Sequence, residues 1–170
     1  MYKKFLLLIL CCSLLIISGC NKGIEPEPVS SNVIGFSGKI TFTGTWPIDV
    51  LRTHLVVFKN DILSVDDFSF LNLAFASDPI PSGSKEFSYT TMANNYFNLT
   101  LGEGTCRYIV VAQSKTALLS FDRADWVIVG VYYNIGDKSK PGIMTLRKGY
   151  INTGIDINVD FDNLPPQPPK

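Results

Sequence analysis

The chain has 170 residues, enough for one domain with its own hydrophobic core. Its 15 lysines and arginines balance 15 aspartates and glutamates, and neither sign forms a block, so no nucleic-acid patch and no charged tail are expected. Phe, Tyr, Val, Ile and Thr are abundant and Gly or Pro recurs about every ten residues, the composition of an all-β domain.

The first element is a leader. Lys3 and Lys4 precede an almost unbroken apolar run over 5–17, which is shorter than the roughly 20 residues a membrane-crossing helix needs. Small residues, Ser18 and Gly19, then stand before Cys20. Residues 1–19 therefore read as a cleaved signal peptide. The sequence Ile17-Ser18-Gly19-Cys20 resembles a bacterial lipobox. That resemblance implies cleavage between Gly19 and Cys20 and a diacylglycerol thioether on Cys20. Two or three acyl chains, at roughly 0.8 kcal/mol per buried methylene, hold a protein to a membrane far more firmly than one. The membrane is thus the expected partner through Cys20. The expected location is the bacterial cell envelope, at the outer membrane, with the periplasmic and surface faces both open.

Residues 20–32 carry two prolines and two serines without apolar periodicity and read as a flexible linker. Cys11 and Cys12 leave with the leader and Cys20 is taken by lipid, so Cys106 alone remains and no internal disulfide is possible. The domain must be stabilised by its core.

That domain is expected over 33–162. In 33–44, Ile34, Phe36, Ile40 and Phe42 alternate with polar residues, the pattern of a half-buried strand. Residues 52–60 are apolar on both parities and read as a more central strand. The stretch 62–76 has Val65, Phe68, Leu71 and Phe75 at helical spacing, with Asp66 placed to cap a short helix, so a turn or two of helix or an irregular crossover is expected rather than a core strand. Residues 85–92 and 95–101 flank Ala93-Asn94-Asn95 and read as a hairpin. Strands follow at 106–113, at 126–134 and at 154–162, where Ile155, Ile157, Val159 and Phe161 alternate with Asp156, Asn158, Asp160 and Asp162. Seven or eight strands at regular spacing predict a single antiparallel β-sandwich. The predicted core includes Phe36, Phe42, Leu99, Val110, Ile128, Ile157 and Phe161. The proline-rich 163–170 is expected to lie outside the fold.

Three stretches, FSGKITFTGTWP, YFNLTLGEGTCRYIVVAQ and GIDINVDF, resemble the transthyretin-like, carboxypeptidase-regulatory-like β-sandwich domains of bacterial exported proteins. Cys106 departs from that pattern, which carries Tyr at the turn. The resemblance implies a non-catalytic scaffold, adhesion or accessory module. The family's one enzymatic branch, the hydroxyisourate hydrolases, needs several histidines and a C-terminal Tyr-Arg-Gly-Ser; here there is one histidine and the chain ends Pro-Pro-Lys.

The chemistry-bearing residues agree with a non-enzyme. His54 reads as a hydrogen-bonded structural histidine, and no Gly-x-Ser-x-Gly nucleophile motif accompanies it. Cys106 and His54 form no zinc-spaced set. Asp66, Asp67, Asp122 and Asp125 lack the oxygen density calcium wants and read as solvated loop charge, with Asp122 and Arg123 paired locally. No cofactor or metal is expected. The exposed aspartate row of 156–162 reads as a device against edge-to-edge pairing. Binding chemistry rests on aromatics: Trp46, Tyr133 and Tyr150 near predicted strand ends are candidate ligand-binding residues. The expected function is a structural or interaction module facing an envelope protein or glycan. The alternative is a carbohydrate-binding accessory lipoprotein, which needs Trp46 and a tyrosine coplanar and exposed.

Overall fold

The computed structural model describes residues 32–170. The leader, Gly19, Cys20 and nearly all of the linker lie outside the described residues.

Two four-stranded sheets pack face to face, giving the all-β sandwich expected from composition and spacing. The first is built on β1 (Ile34–Thr43), whose even-numbered side chains turn inward as the alternation requires. On one side β1 pairs antiparallel with β4 (Glu86–Thr90). On the other it carries β9 (Tyr150–Asn152) beside its first half and β10 (Ile157–Asp160) beside its second, both parallel. Parallel neighbours need a long crossover, and here the whole second sheet intervenes between β1 and its parallel partners. The aspartate row is exposed as expected, on an edge strand.

The second sheet has the order β3-β2-β6-β7, with β2 Arg52–Phe58, β3 Leu73–Ala76, β6 Tyr108–Ser114 and β7 Trp126–Val131, all antiparallel. A separate ribbon joins β5 (Gly104–Cys106) to β8 (Met144–Leu146). The strands number ten among the described residues, because β5, β8 and β9 are three-residue pieces too short to register as periodicity.

The main core lies between the sheets: Phe36, Ile40 and Phe42 of β1 and Ile157 and Val159 of β10 meet Leu55, Val57, Ile109, Val111 and Val129. Approach is close. A Cβ on Gly38 would stand 2.2 Å from the Ile155 carbonyl oxygen, and one on Gly130 would stand 2.8 Å from a Val159 methyl. Tyr89, paired with Gly38, reaches past it to donate to that same carbonyl at 2.5 Å.

A second cluster covers the opposite face of the β2-β6-β7 sheet: Phe58, Val110, Ala112, Trp126 and Ile128, capped from loops by Ile62, Phe68, Phe97, Leu99 and Leu119. This is why β2 reads apolar on both parities. One face meets the first sheet and the other lies beneath loops.

Several expectations are corrected. Within 62–76 the only helix is a single 3-10 turn, Val65–Asp67, and β3 is a core strand with all four residues buried. The turn is organised by Asp67 rather than Asp66: its Oδ2 accepts from the Leu63 and Ser64 amides and the Ser64 hydroxyl. No hairpin forms around 93–95. Asn95 instead clasps Leu99, donating to its carbonyl and accepting from its amide, so 95–99 is a closed loop. Leu99 and Phe161 are half-buried at the margins of the two clusters, while the other five predicted core residues are buried. Arg123 is not paired with Asp122. Asp122 accepts from the Ala124 amide, and Arg123 is buried, its guanidinium donating to the carbonyls of Trp126 and Pro168.

The C-terminal stretch is docked. The Gln167 side-chain amide donates to the Ile128 carbonyl at 2.8 Å and accepts from the Ile128 amide at 2.9 Å. It imitates one peptide unit of a neighbouring strand on β7, the sheet's edge. Four prolines lie among 165–169 and lack amide donors, so this cover pairs at one point without offering a ladder of its own.

Candidate functional site

The three candidate aromatics are dispersed. Trp46 follows β1 and is half-buried, its ring 4.7 Å from Phe42 and 4.9 Å from Phe161 and its Nε1 donating to the Ser84 carbonyl. Tyr150 is exposed but stands beside Ile34 at the other end of the same strand. Tyr133 is half-buried against the outer cluster. The structure does not bring Trp46 into a shared plane with either tyrosine, and the indole leans on the core rather than offering a free face.

A different site is assembled on the outer face of the β3-β2-β6-β7 sheet. Alternate residues of the strands supply its floor: His54, Val56 and Phe58 from β2, Val110 and Ala112 from β6, and Trp126 and Ile128 from β7. Loop residues make its walls, chiefly Phe68, Tyr96, Phe97, Leu119 and Phe121. The loops differ in how they are held. Residues 62–72 are fixed by the Asp67 cap and by Asn72, which accepts from Asn60 and donates to the Asp67 carbonyl. Residues 95–99 are clasped by Asn95. The loop after β6 is held by Arg52, which donates through Nε and Nη2 to the Ala117 carbonyl, and by Trp126 Nε1 donating to the Ser120 carbonyl.

These loops leave a large amount of apolar surface in water. Phe70, Phe97 and Phe121 form a mutual cluster, with ring centroids 5.8, 5.9 and 6.2 Å apart. Leu71, next to Phe70 in the chain, and Leu118, on the loop that carries Phe121, are more than half exposed. Single exposed leucines are ordinary, but an aromatic group rimmed by further large apolar side chains on neighbouring loops is the mark of an interaction surface. Below that rim the cleft encloses about 40 Å³.

The lining is mostly apolar, and its polar side chains are His54, Ser69, Ser120 and Tyr96. His54 is 2% exposed, and its ring is flanked edge-on by Tyr96 and Trp126. Its Nδ1 lies 2.8 Å from the Ser77 carbonyl oxygen. A carbonyl only accepts, so Nδ1 carries the proton and Nε2 presents a lone pair. Nε2 is buried without a partner. Burial, more than any neighbour, holds the imidazole below its ordinary titration range; Arg52 acts in the same direction, and the Ser77 carbonyl and Asp78 oppose it. The expected structural histidine is therefore satisfied on one side only.

The remaining candidates carry no comparable geometry. Cys106 is buried in the main core and its thiol is pushed up to about 11 by desolvation, the opposite of an activated nucleophile. Among the described residues no three His, Cys, Asp or Glu side chains gather to hold a metal, and no helix is long and apolar enough to cross a membrane.

Sequence reasoning placed His54 but missed Phe70, Tyr96, Phe97 and Phe121. The available signal was the aromatic density of 68–70, 96–97 and Phe121. Comparison of the chain with protein-family models, with curated proteins and with solved structures finds no match.

Proposed function

We propose that this chain is a non-catalytic interaction module of the bacterial cell envelope, anchored through lipid on Cys20, with the outer face of the β3-β2-β6-β7 sheet as its binding face. The leader and the cysteine that ends it support the anchor, and two packed all-β sheets are consistent with the transthyretin-like, carboxypeptidase-regulatory-like resemblance. The observation that carries the binding face is the Phe70–Phe97–Phe121 cluster, with Phe70 and Phe121 about half exposed, over a mostly apolar cleft. Surface of this kind is costly in a solvated domain unless something covers it.

The test is site-specific photo-crosslinking in intact cells, with the reactive group at Phe121 or Leu118 and a control at Ser88, which is exposed on the first sheet. Discrete adducts from the first two positions and none from Ser88 are expected. Equal labelling at all three refutes the assignment of the face. A parallel Cys20→Ala variant is expected to leave the membrane fraction, and its retention there refutes the anchor.

A further inference from the structure

We propose that the end of the sandwich at which β1 begins makes a second contact with the membrane: a basic and aromatic surface, carried by 135–150, that lies on anionic lipid headgroups. The inference rests on the lipid anchor at Cys20 and adds how the anchored domain is oriented.

The chain enters the domain beside this surface. The Gly149 amide donates to the Val33 carbonyl at 2.8 Å and Tyr150 pairs with Ile34, so the turn 147–149 is bonded to the residues that lead into β1. Val33 follows Cys20 by thirteen positions, from 20 to 33. Such a stretch spans at most about 45 Å. The loop 132–143 reaches the same end. Val127 shares a cleft with Phe161, whereas Gly130 faces Ile157 and Val159, so β7 passes β10 in the opposite direction. Because β10 runs parallel to β1, β7 leaves its sheet at the end where β1 starts.

Positive charge is concentrated there. Between Asp137 and Asp156 the chain carries Lys138, Lys140, Arg147 and Lys148 and no acidic residue, while the rest of 32–170 carries eight basic against thirteen acidic residues. All four side chains are exposed, and among the described residues none is in an ion pair. Two carboxylates stand near, each with a local partner: Asp137 accepts from the Ser139 amide and hydroxyl, and Glu103 accepts from the Lys148 amide. Four positive charges therefore face two negative ones. Apolar groups accompany them. Tyr150 is more than half exposed, and Ile135 is fully exposed beside Gly136, which turns the chain with φ of 82°. Tyrosine favours the membrane–water boundary, where its ring meets acyl chains and its hydroxyl meets headgroups. Each Lys or Arg close to an anionic surface strengthens attachment about fivefold. The anchor already holds such a surface within reach, so even weak attraction is enough to dock the domain.

The experiment uses the full lipidated chain in vesicles of phosphatidylcholine mixed with phosphatidylglycerol and, separately, in vesicles of phosphatidylcholine alone. A fluorophore is attached at Thr145→Cys, exposed among the basic residues, or at Asn163→Cys, exposed beyond the far end of β10, and lipids with a quencher on the headgroup report contact. Cys106 is buried, so the introduced thiol is the one that reacts. Expected is strong quenching at 145 and weak quenching at 163 on the anionic vesicles, with the contrast lost on phosphatidylcholine alone and in high salt. Arg147→Gln combined with Lys148→Gln should lower the ratio of docked to undocked domain by about twenty-five-fold. Equal quenching at both positions on anionic vesicles, with the protein still vesicle-bound, overturns the contact and leaves the anchor standing. A contrast that persists on phosphatidylcholine alone overturns the assignment to anionic headgroups. Protein adducts from a photo-crosslinker at 145 in intact cells, without contrast on vesicles, overturn the lipid as partner and assign the surface to an acidic protein. An intact mass that shows no lipid on Cys20 overturns the anchor and this inference with it. The lipid and salt comparisons keep all four basic residues, so the test stands even if the double variant fails to fold.

Discussion

Replacing Gly38 by alanine is expected to be among the most damaging single-methyl additions to this protein. The added Cβ would lie 2.2 Å from the Ile155 carbonyl oxygen, 2.6 Å from its carbon and 2.9 Å from the Tyr89 hydroxyl. Two of these atoms are backbone, so rotamer changes cannot relieve the clash; the strip 153–156 must move away from β1. Three hydrogen bonds depend on its position: Ile155 N–H to Ser37, the Lys39 amide to Asp156, and Tyr89 to the Ile155 carbonyl. Overpacking costs roughly 1–3 kcal/mol, and the loss of two buried hydrogen bonds adds about 1 kcal/mol each. A total of about 3–5 kcal/mol is a large part of the 5–15 kcal/mol typical of a domain. With a urea m-value of about 2 kcal/mol per molar, the unfolding midpoint should fall by about 1.5–2.5 M. Gly102→Ala serves as the control, since nothing lies within 4 Å of its added carbon, and should shift the midpoint by no more than about 0.3 M. Tryptophan fluorescence follows both transitions. A Gly38→Ala midpoint matching the Gly102→Ala control would refute the claim that this strip is clamped against β1.

Gln167→Ala should destabilise by about 1–2 kcal/mol in urea unfolding, because Ile128 loses partners for both backbone groups; Gln167→Glu should not restore stability, since a carboxylate cannot donate to the Ile128 carbonyl. His54 should make stability depend on pH. Its imidazole is held below the ordinary 6.5, so the unfolded chain takes up a proton that the folded chain refuses. Its contribution is full above 6.5 and is lost as pH falls through 6.5 toward the folded value, with a slope of at most about 1.4 kcal/mol per pH unit. Unfolding midpoints between pH 7.5 and 5 should show this slope in the wild type and lose it in His54→Gln. Cys106, buried with its thiol raised to about 11, should react with a thiol-specific aromatic disulfide only on unfolding, and rapid labelling of the native protein would contradict its place in the core.

The strands that carry alternation or length were legible in the sequence. The inward face of β1 followed from Ile34, Phe36, Ile40 and Phe42, because one side of that strand is buried and the other wet. The centrality of β2 followed from its double-sided apolar run. β3 was missed because a four-residue strand buried throughout has no alternation to show, and the helical spacing around it was coincidence. The false hairpin had a related cause: Phe97 and Leu99 alternate because they cap the outer cluster, while Leu101 packs on the main core. Nothing local marks the cleft. Its lining comes from three loops and four strands that meet only once the second sheet has formed, and the orphaned His54 nitrogen depends on a carbonyl 23 residues away. Equally silent was Gln167, whose amide acquires its role only from the edge it meets.

The placement of β1 has a mechanical consequence. A pull on the chain ahead of Ile34 enters the domain along the axis of a strand bonded on both sides, by β4 on one flank and by β9 and β10 on the other. Such a load acts in shear: the rungs share the force instead of opening one after another from an end. The inward rings of Phe36 and Phe42 would also have to be dragged through a packed core before the strand could slide. The cleft lies on the other sheet, away from the loaded strand. Drag on whatever is held there would pass through the loops of the site into the second sheet and cross the packed core before it reached β1.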